Sequence, residues 1–131
     1  MPDNDLLEVN LKYGESFLIG VIGDPSNYII QSYINDLECS ENNIQKFQEY
    51  IKEYSKVSWI DEIFVVERQR GKGIGSKLIE KFEKLSKIEN SEIIVCEPDL
   101  EPPIEFDSLI RFYEKQGFTY NNEFITMEKE V

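Results

Sequence analysis

Leu7, Val9, Leu11 and Tyr13 alternate with Glu8, Asn10 and Lys12, the period-two pattern of a half-buried strand. Gly14 supplies a turn, and the apolar run from Phe17 to Ile22 completes what reads as a hairpin. After a turn at Gly23-Asp24-Pro25-Ser26, Tyr28 to Ile34 reads as a third strand, with helix initiation behind Pro25-Ser26 as the alternative. Ser40 caps a helix from Glu41 to about Tyr54, because Ile44, Phe47, Ile51 and Tyr54 share one face while Lys46, Glu49, Lys52 and Glu53 face water. Val57 to Val66 is the next strand, with Asp61 and Glu62 set inside an otherwise apolar run. Leu78, Ile79, Phe82 and Leu85 mark a helix ending near Lys87, and Ile93 to Cys96 is a short buried strand. A further helix runs from about Asp107 to Gln116 and is closed by Gly117. Phe118 to Tyr120 and Phe124 to Met127 form a last hairpin around Asn121-Asn122. The pattern predicts one α/β domain over residues 1–131 with a mixed, mostly antiparallel sheet and flanking helices.

Between the strand ending at Val66 and the helix containing Leu78 lies Glu67-Arg68-Gln69-Arg70-Gly71-Lys72-Gly73-Ile74-Gly75-Ser76. Strand, glycine-rich turn and helix together present backbone N–H groups to an anion, and the helix dipole favours negative charge there. Arg68, Arg70, Lys72 and Lys77 surround this turn, and the remaining arginine, Arg111, falls in the helix before Gly117. A P-loop needs Gly-Lys-Ser/Thr after four intervening residues, which is absent, and a dinucleotide fingerprint needs glycine where Ser76 stands.

Charge sharpens this picture. The net charge is −12, so a basic cluster at one turn is informative, and direct nucleic-acid binding is excluded for want of basic surface. The same acidity suits a cationic acceptor. The chain has no histidine, which removes Ser-His-Asp and Cys-His catalysis and histidine metal sites; any proton transfer uses carboxylates, tyrosine, lysine or water. Cys39 and Cys96 lack metal-ligand spacing and read as reduced, buried thiols, so no metal is expected. Met1-Pro2-Asp3-Asn4-Asp5 lacks the basic and apolar regions of a signal peptide, and no stretch is apolar enough to span a membrane, so the expected compartment is cytoplasm.

Val65 to Leu78 resembles motif A of the GNAT superfamily of N-acetyltransferases, whose Arg/Gln-x-x-Gly-x-Gly/Ala signature is met by Arg70-Gly73-Gly75 and, in an overlapping register, by Arg68-Gly71-Gly73. Leu109 to Phe118 is similar to motif B, in which a helical tyrosine precedes Glu-Lys-x-Gly-Phe. The resemblance implies a GNAT-like sheet with splayed central strands and acetyl-CoA as co-substrate. Its diphosphate would lie on Gly71, Lys72, Gly73, Ile74, Gly75 and Ser76 with Arg70 beside it. Its pantetheine arm would pair with Phe64, Val65 and Val66, and the thioester carbonyl would take an N–H of Val65 or Val66. Asp107 stands where many members have a cofactor-contacting asparagine, and one helix, rather than the usual pair, is legible before the motif A strand.

Tyr113 is the candidate acid for the departing thiolate. Glu62 and Asp61 are the candidate bases, with Glu62 preferred; alternation on a strand lets only one of them face the acceptor. Asp99 and Glu101, in the proline-rich loop from Glu97 to Glu105, would add negative potential near the acceptor. The leading expectation is acetyl transfer to a small cationic amine by direct attack. Transfer to a protein lysine, as in small phage-type acetyltransferases, and a non-catalytic acyl-CoA-binding module are the alternatives. A homodimer is compatible with either.

Overall fold

The structure, a computed structural model, describes residues 6–98 and 105–131. Strands β1 (Leu6–Tyr13) and β2 (Ser16–Gly23) form the predicted hairpin, pairing from Leu6↔Gly23 to Tyr13↔Ser16 with Gly14 at φ +61° in the turn. Helices α1 (Tyr28–Asn35) and α2 (Glu41–Ile51) lead to β3 (Val57–Phe64). A single turn of 3-10 helix (Glu67–Gln69) then precedes α3 (Ile74–Ile88). The chain finishes with β4 (Ile93–Cys96), α4 (Phe106–Lys115), β5 (Thr119–Asn121) and β6 (Thr126–Glu130). The sheet order is β1-β2-β3-β4-β6-β5, and β3–β4 is its parallel pair.

The segment expected as a third strand is α1. Asn27 caps it, its side chain accepting from Ile29 N at 2.8 Å, and Asp24 holds the preceding turn by accepting from Ser26 N at 2.8 Å. With that start fixed, Ile30 and Ile34 fall one helical turn apart and bury completely, so a run with strand-like composition satisfies its apolar residues as a helix. Two helices therefore precede β3, not one. Helix α2 is shorter than expected because it closes at Ile51, and Tyr54 follows in a turn with its N–H on the Ile51 carbonyl at 3.2 Å.

Each face of the sheet has its own core. Val9, Leu18, Ile22, Ile60, Ile94, Cys96 and Met127 pack against Leu78, Ile79 and Phe82 of α3 and Tyr113 of α4. Val21, Val57, Trp59, Ile93 and Val95 pack on the other side against Ile30, Ile34, Phe47 and Ile51. Because β4 is covered on both faces, all its residues are buried, as expected of a strand in parallel pairing. A buried hydroxyl trio ties the end of α3 to the sheet: Ser58 Oγ lies 2.7 Å from Ser86 Oγ and donates to Ser91 Oγ at 2.8 Å. Both cysteines are free, and no described helix is long and apolar enough to cross a membrane.

Candidate active site

Strands β3 and β4 pair only from Val57↔Ile93 to Ile60↔Cys96, while β3 continues to Phe64. Beyond that point the two parallel strands part, and a cavity of about 780 Å³ opens between them, reaching the glycine turn, the α4 face and the Asp61–Glu62 segment.

The turn that opens α3 has a geometry that can hold an anion. Gly71 and Gly73 both sit at φ +77°, a left-handed conformation that favours glycine, and nothing lies within 4 Å of where a Cβ would project. Gly73 is the residue before α3 and has no side chain with which to satisfy the first-turn N–H groups, so Ile74, Gly75 and Ser76 present theirs at the mouth of a 15-residue helix. Gly75 has a different reason: a Cβ there would meet Phe112 Cζ at 3.0 Å, so glycine lets α4 close against α3.

The four cations around this turn divide. Arg68 pairs with Glu15 at 3.2 Å, and Lys77 lies over the Tyr13 ring at 5.5 Å, so both reach to the β1–β2 hairpin. Arg70 folds back, its Nε donating to the Val65 carbonyl at 3.1 Å, and Lys72 is exposed. Arg111 is exposed on α4, its Nη2 donating to Ser108 Oγ at 3.3 Å.

Ser16 fixes the end of β3. It is fully buried, accepts from Val66 N at 3.0 Å and donates to Gln69 Oε1. The Val66 N–H is therefore directed toward β2. Alternation along the strand then turns the peptide groups of Val65 and Ile63 to the edge that faces the gap.

The carboxylates are placed by a bulge. Gly20 pairs with Ile60 and Ile19 pairs with Glu62, so Asp61 is an extra residue opposite β2. Ile60 and Ile63, three residues apart, consequently contact the same core, which a regular strand forbids. Simple alternation between Asp61 and Glu62 does not hold, and both line the cavity. Desolvation pushes the Asp61 carboxyl above its ordinary value, although the residue as a whole is exposed. The Tyr33 hydroxyl of α1 is pushed up by burial and further by the Asp61 and Glu8 charges.

From the other wall, Tyr113 reaches the cavity from a position only 3% exposed, between the edges of Phe112 and Phe118 at 5.3 and 5.5 Å. Gln116 lies one turn further along α4, and its Nε2 donates to Ser76 Oγ at 2.8 Å. Lys129 Nζ donates to the Gln116 carbonyl at 2.8 Å and to Glu83 Oε1 at 2.8 Å, so a buried-edge ammonium from β6 braces the α4–α3 junction.

The cavity thus gathers Asp61, Glu62, Phe64, Val65, Arg70, Gly71, Gly73, Ile74, Gly75, Ser76 and Tyr113. Val66 and Lys72 flank it without lining it, and Asp107 is exposed in the first turn of α4. Asp99 and Glu101 lie outside the described residues. Gln69, Leu109, Phe112, Lys115 and Gln116 also line it. The last residues were within reach of the sequence, since Leu109, Phe112, Tyr113 and Gln116 recur at helical spacing. Gln69 carries no such signal, its place being set by Ser16. Among the described residues, no cluster of cysteine and carboxylate side chains is arranged to hold a metal ion.

An open, mostly antiparallel sheet with two parting parallel strands, a glycine turn and a facing helical tyrosine defines an acetyltransferase architecture. The model of the acetyltransferase (GNAT) domain matches residues 37–120, and the chain belongs to the GNAT family. The anti-CRISPR protein AcrVA5 shares the fold at 17% identity, over 93% of this chain and 97% of its own, with a TM-score of 0.57. A protein from Agrobacterium tumefaciens assigned as an acetyltransferase does so at 18% identity, over 97% and 77% of the two chains, with a TM-score of 0.60. A mosquito arylalkylamine N-acetyltransferase-like protein follows at 15% identity, over 88% and 68%, with a TM-score of 0.54. At such identities the likeness is one of fold. No curated protein matches the chain in sequence.

Proposed function

We propose that this chain is an N-acetyltransferase that moves an acetyl group from acetyl-CoA to the primary amine of a small cationic acceptor by direct attack. The observation that carries the reading is the parting of β3 from β4, which opens one continuous cavity lined by the uncapped start of α3, by Asp61 and Glu62, and by Tyr113. The co-substrate supplies a thioester carbonyl and a thiolate leaving group. The N–H groups of Ile74, Gly75 and Ser76, with Arg70 and Lys72, hold its diphosphate. Val65, whose peptide group faces the gap, offers its N–H to the carbonyl oxygen; Val66 is already committed to Ser16. Glu62 and Asp61 take the proton that the ammonium must lose before its nitrogen forms the new N–C bond. As the C–S bond breaks, Tyr113 gives its hydroxyl proton to the sulfur, and the second proton that the nitrogen loses on becoming an amide restores the phenol.

Helix α1 gives the acceptor side a second N-terminal helix, which supports a transferase over a binding-only module. The test is thiol release from acetyl-CoA against a panel of primary amines and lysine peptides, alongside calorimetric titration with CoA. Titratable binding with amine-dependent thiol release is expected. Binding with no acceptor turned over by any member of the panel would leave a carrier-binding module in its place.

A further inference from the structure

Residues directly opposite on neighbouring strands share a face of the sheet, so the register lays out the side that bears α1 and α2 in rows. One row is Glu8, Val21 and Trp59, and α1 covers it, with Tyr33 stacked on Trp59 at 5.7 Å. The next is Asn10, Ile19 and Glu62, and the next is Lys12, Phe17 and Phe64. These two rows run past the helices. Phe17, Ile19 and Phe64 are half-buried and belong to neither core, yet they are contiguous, with the Phe17 and Phe64 rings 5.6 Å apart and inclined at 34°. The bulge places both Asp61 and Glu62 opposite Ile19, and Phe64, Asp61 and Glu62 line the mouth of the cavity. The charge therefore edges the apolar patch along β3, where the patch borders the cavity.

We propose, resting on the transferase reading above, that Phe17, Ile19 and Phe64 form the floor of the acceptor subsite and that the acceptor is a primary aralkylamine. Its ring lies on the floor and its ammonium reaches Asp61 and Glu62. The patch is about one ring wide, and paired phenylalanines prefer a flat apolar partner. A diamine would have to hold its second charge over apolar carbon, which leaves a cation poorly solvated. A lysine on a protein surface would need a far broader contact than three side chains, on the order of 800 Å² per partner. Lys12, exposed at the outer end of the patch, also repels a basic surface.

The experiment compares 2-phenylethylamine, 1,4-diaminobutane and a lysine peptide as acceptors for the full chain, at one saturating acetyl-CoA concentration. The expected kcat/KM favours phenylethylamine by roughly 10- to 100-fold, the value of burying one ring. Phe17→Thr and Ile19→Thr, β-branched to keep the strand, are each expected to erase about 10-fold of that preference while CoA affinity by calorimetry and Tm stay near the parent's. A preference for the diamine or the peptide, or an equal loss for all three acceptors in both variants, overturns the aralkyl assignment and leaves the transferase standing. CoA binding with none of the three turned over overturns this proposal, and the same failure across the whole amine and peptide panel overturns the transferase reading with it.

Discussion

The two faces of the sheet meet at one gap but are assembled in different ways. On the α3–α4 face, the functional groups come from two short continuous segments: Arg70 to Ser76, and the stripe of α4 carrying Phe112, Tyr113 and Gln116. A helix start and a helical repeat place them, so local backbone geometry suffices. On the α1–α2 face, Phe17, Ile19, Asp61, Glu62 and Phe64 come together only through strand register and one extra residue. The first arrangement withstands changes elsewhere in the chain, whereas the second depends on pairing between distant strands. On the proposed function, the difference is that between a donor site held by backbone and an acceptor site held by side chains.

Three substitutions test that division. The largest effect is expected from Tyr113→Phe, which keeps the ring in its aromatic setting and removes the proposed proton source. We predict that kcat falls about 100-fold or more while CoA affinity is unchanged by calorimetry. Unaltered kcat would remove Tyr113 from the chemistry and make it a core residue. Next is Gly73→Val. At φ +77° a β-branched residue is strained by about 1–2 kcal/mol, and the helix start should shift to relieve it. The prediction is about 10-fold weaker CoA binding, with the acceptor preference retained. If the preference were lost as well, the two faces would not be separable.

The smallest effect is expected from Asp61→Asn. Burial raises the Asp61 carboxyl in the folded chain above its ordinary value of 3.8, so the folded state binds that proton more readily than the unfolded state. Stability contributed by this group is therefore lost as pH rises through the folded value, and the ionised form carries that cost at neutral pH. Asparagine should raise Tm by about 1–2 °C at pH 7, and the gain should vanish as pH falls below the ordinary carboxylate value. A thermal melt of both proteins at two pH values decides it. A lower Tm at pH 7 would mean that the carboxylate, rather than the bulge geometry, holds this turn together.

The glycine turn and the helix bearing Tyr113 were legible in the sequence. Glycine offsets, the cations around them and the Tyr113 helix are properties of neighbouring residues. The strands were legible too, because alternation and apolar runs report burial directly. Tyr28 to Ile34 reads as extended because its isoleucines and tyrosines suit a strand, and only the Asn27 cap and the Asp24 turn tip it to the helix Tyr28–Asn35. The Asp61 bulge was not legible, since nothing in Ile60-Asp61-Glu62-Ile63 announces an extra residue until β2 supplies Gly20 and Ile19 as partners. For the same reason Ser16, buried and 50 residues from Val66, gave no hint that it would consume that N–H.

The strand order β4-β6-β5 carries a consequence for how the chain assembles. Strand β5 is made before β6 but joins the sheet only through it, pairing Tyr120 with Met127 while Met127 faces Cys96 on its other edge. Until residues 126–130 arrive, β4 has an open edge of four buried, apolar residues, a template for pairing with other chains. Closing that edge takes the docking of β6, which brings β5 with it. The same event delivers Lys129 to Gln116, so the α3–α4 brace is set in the step that closes the aggregation-prone edge.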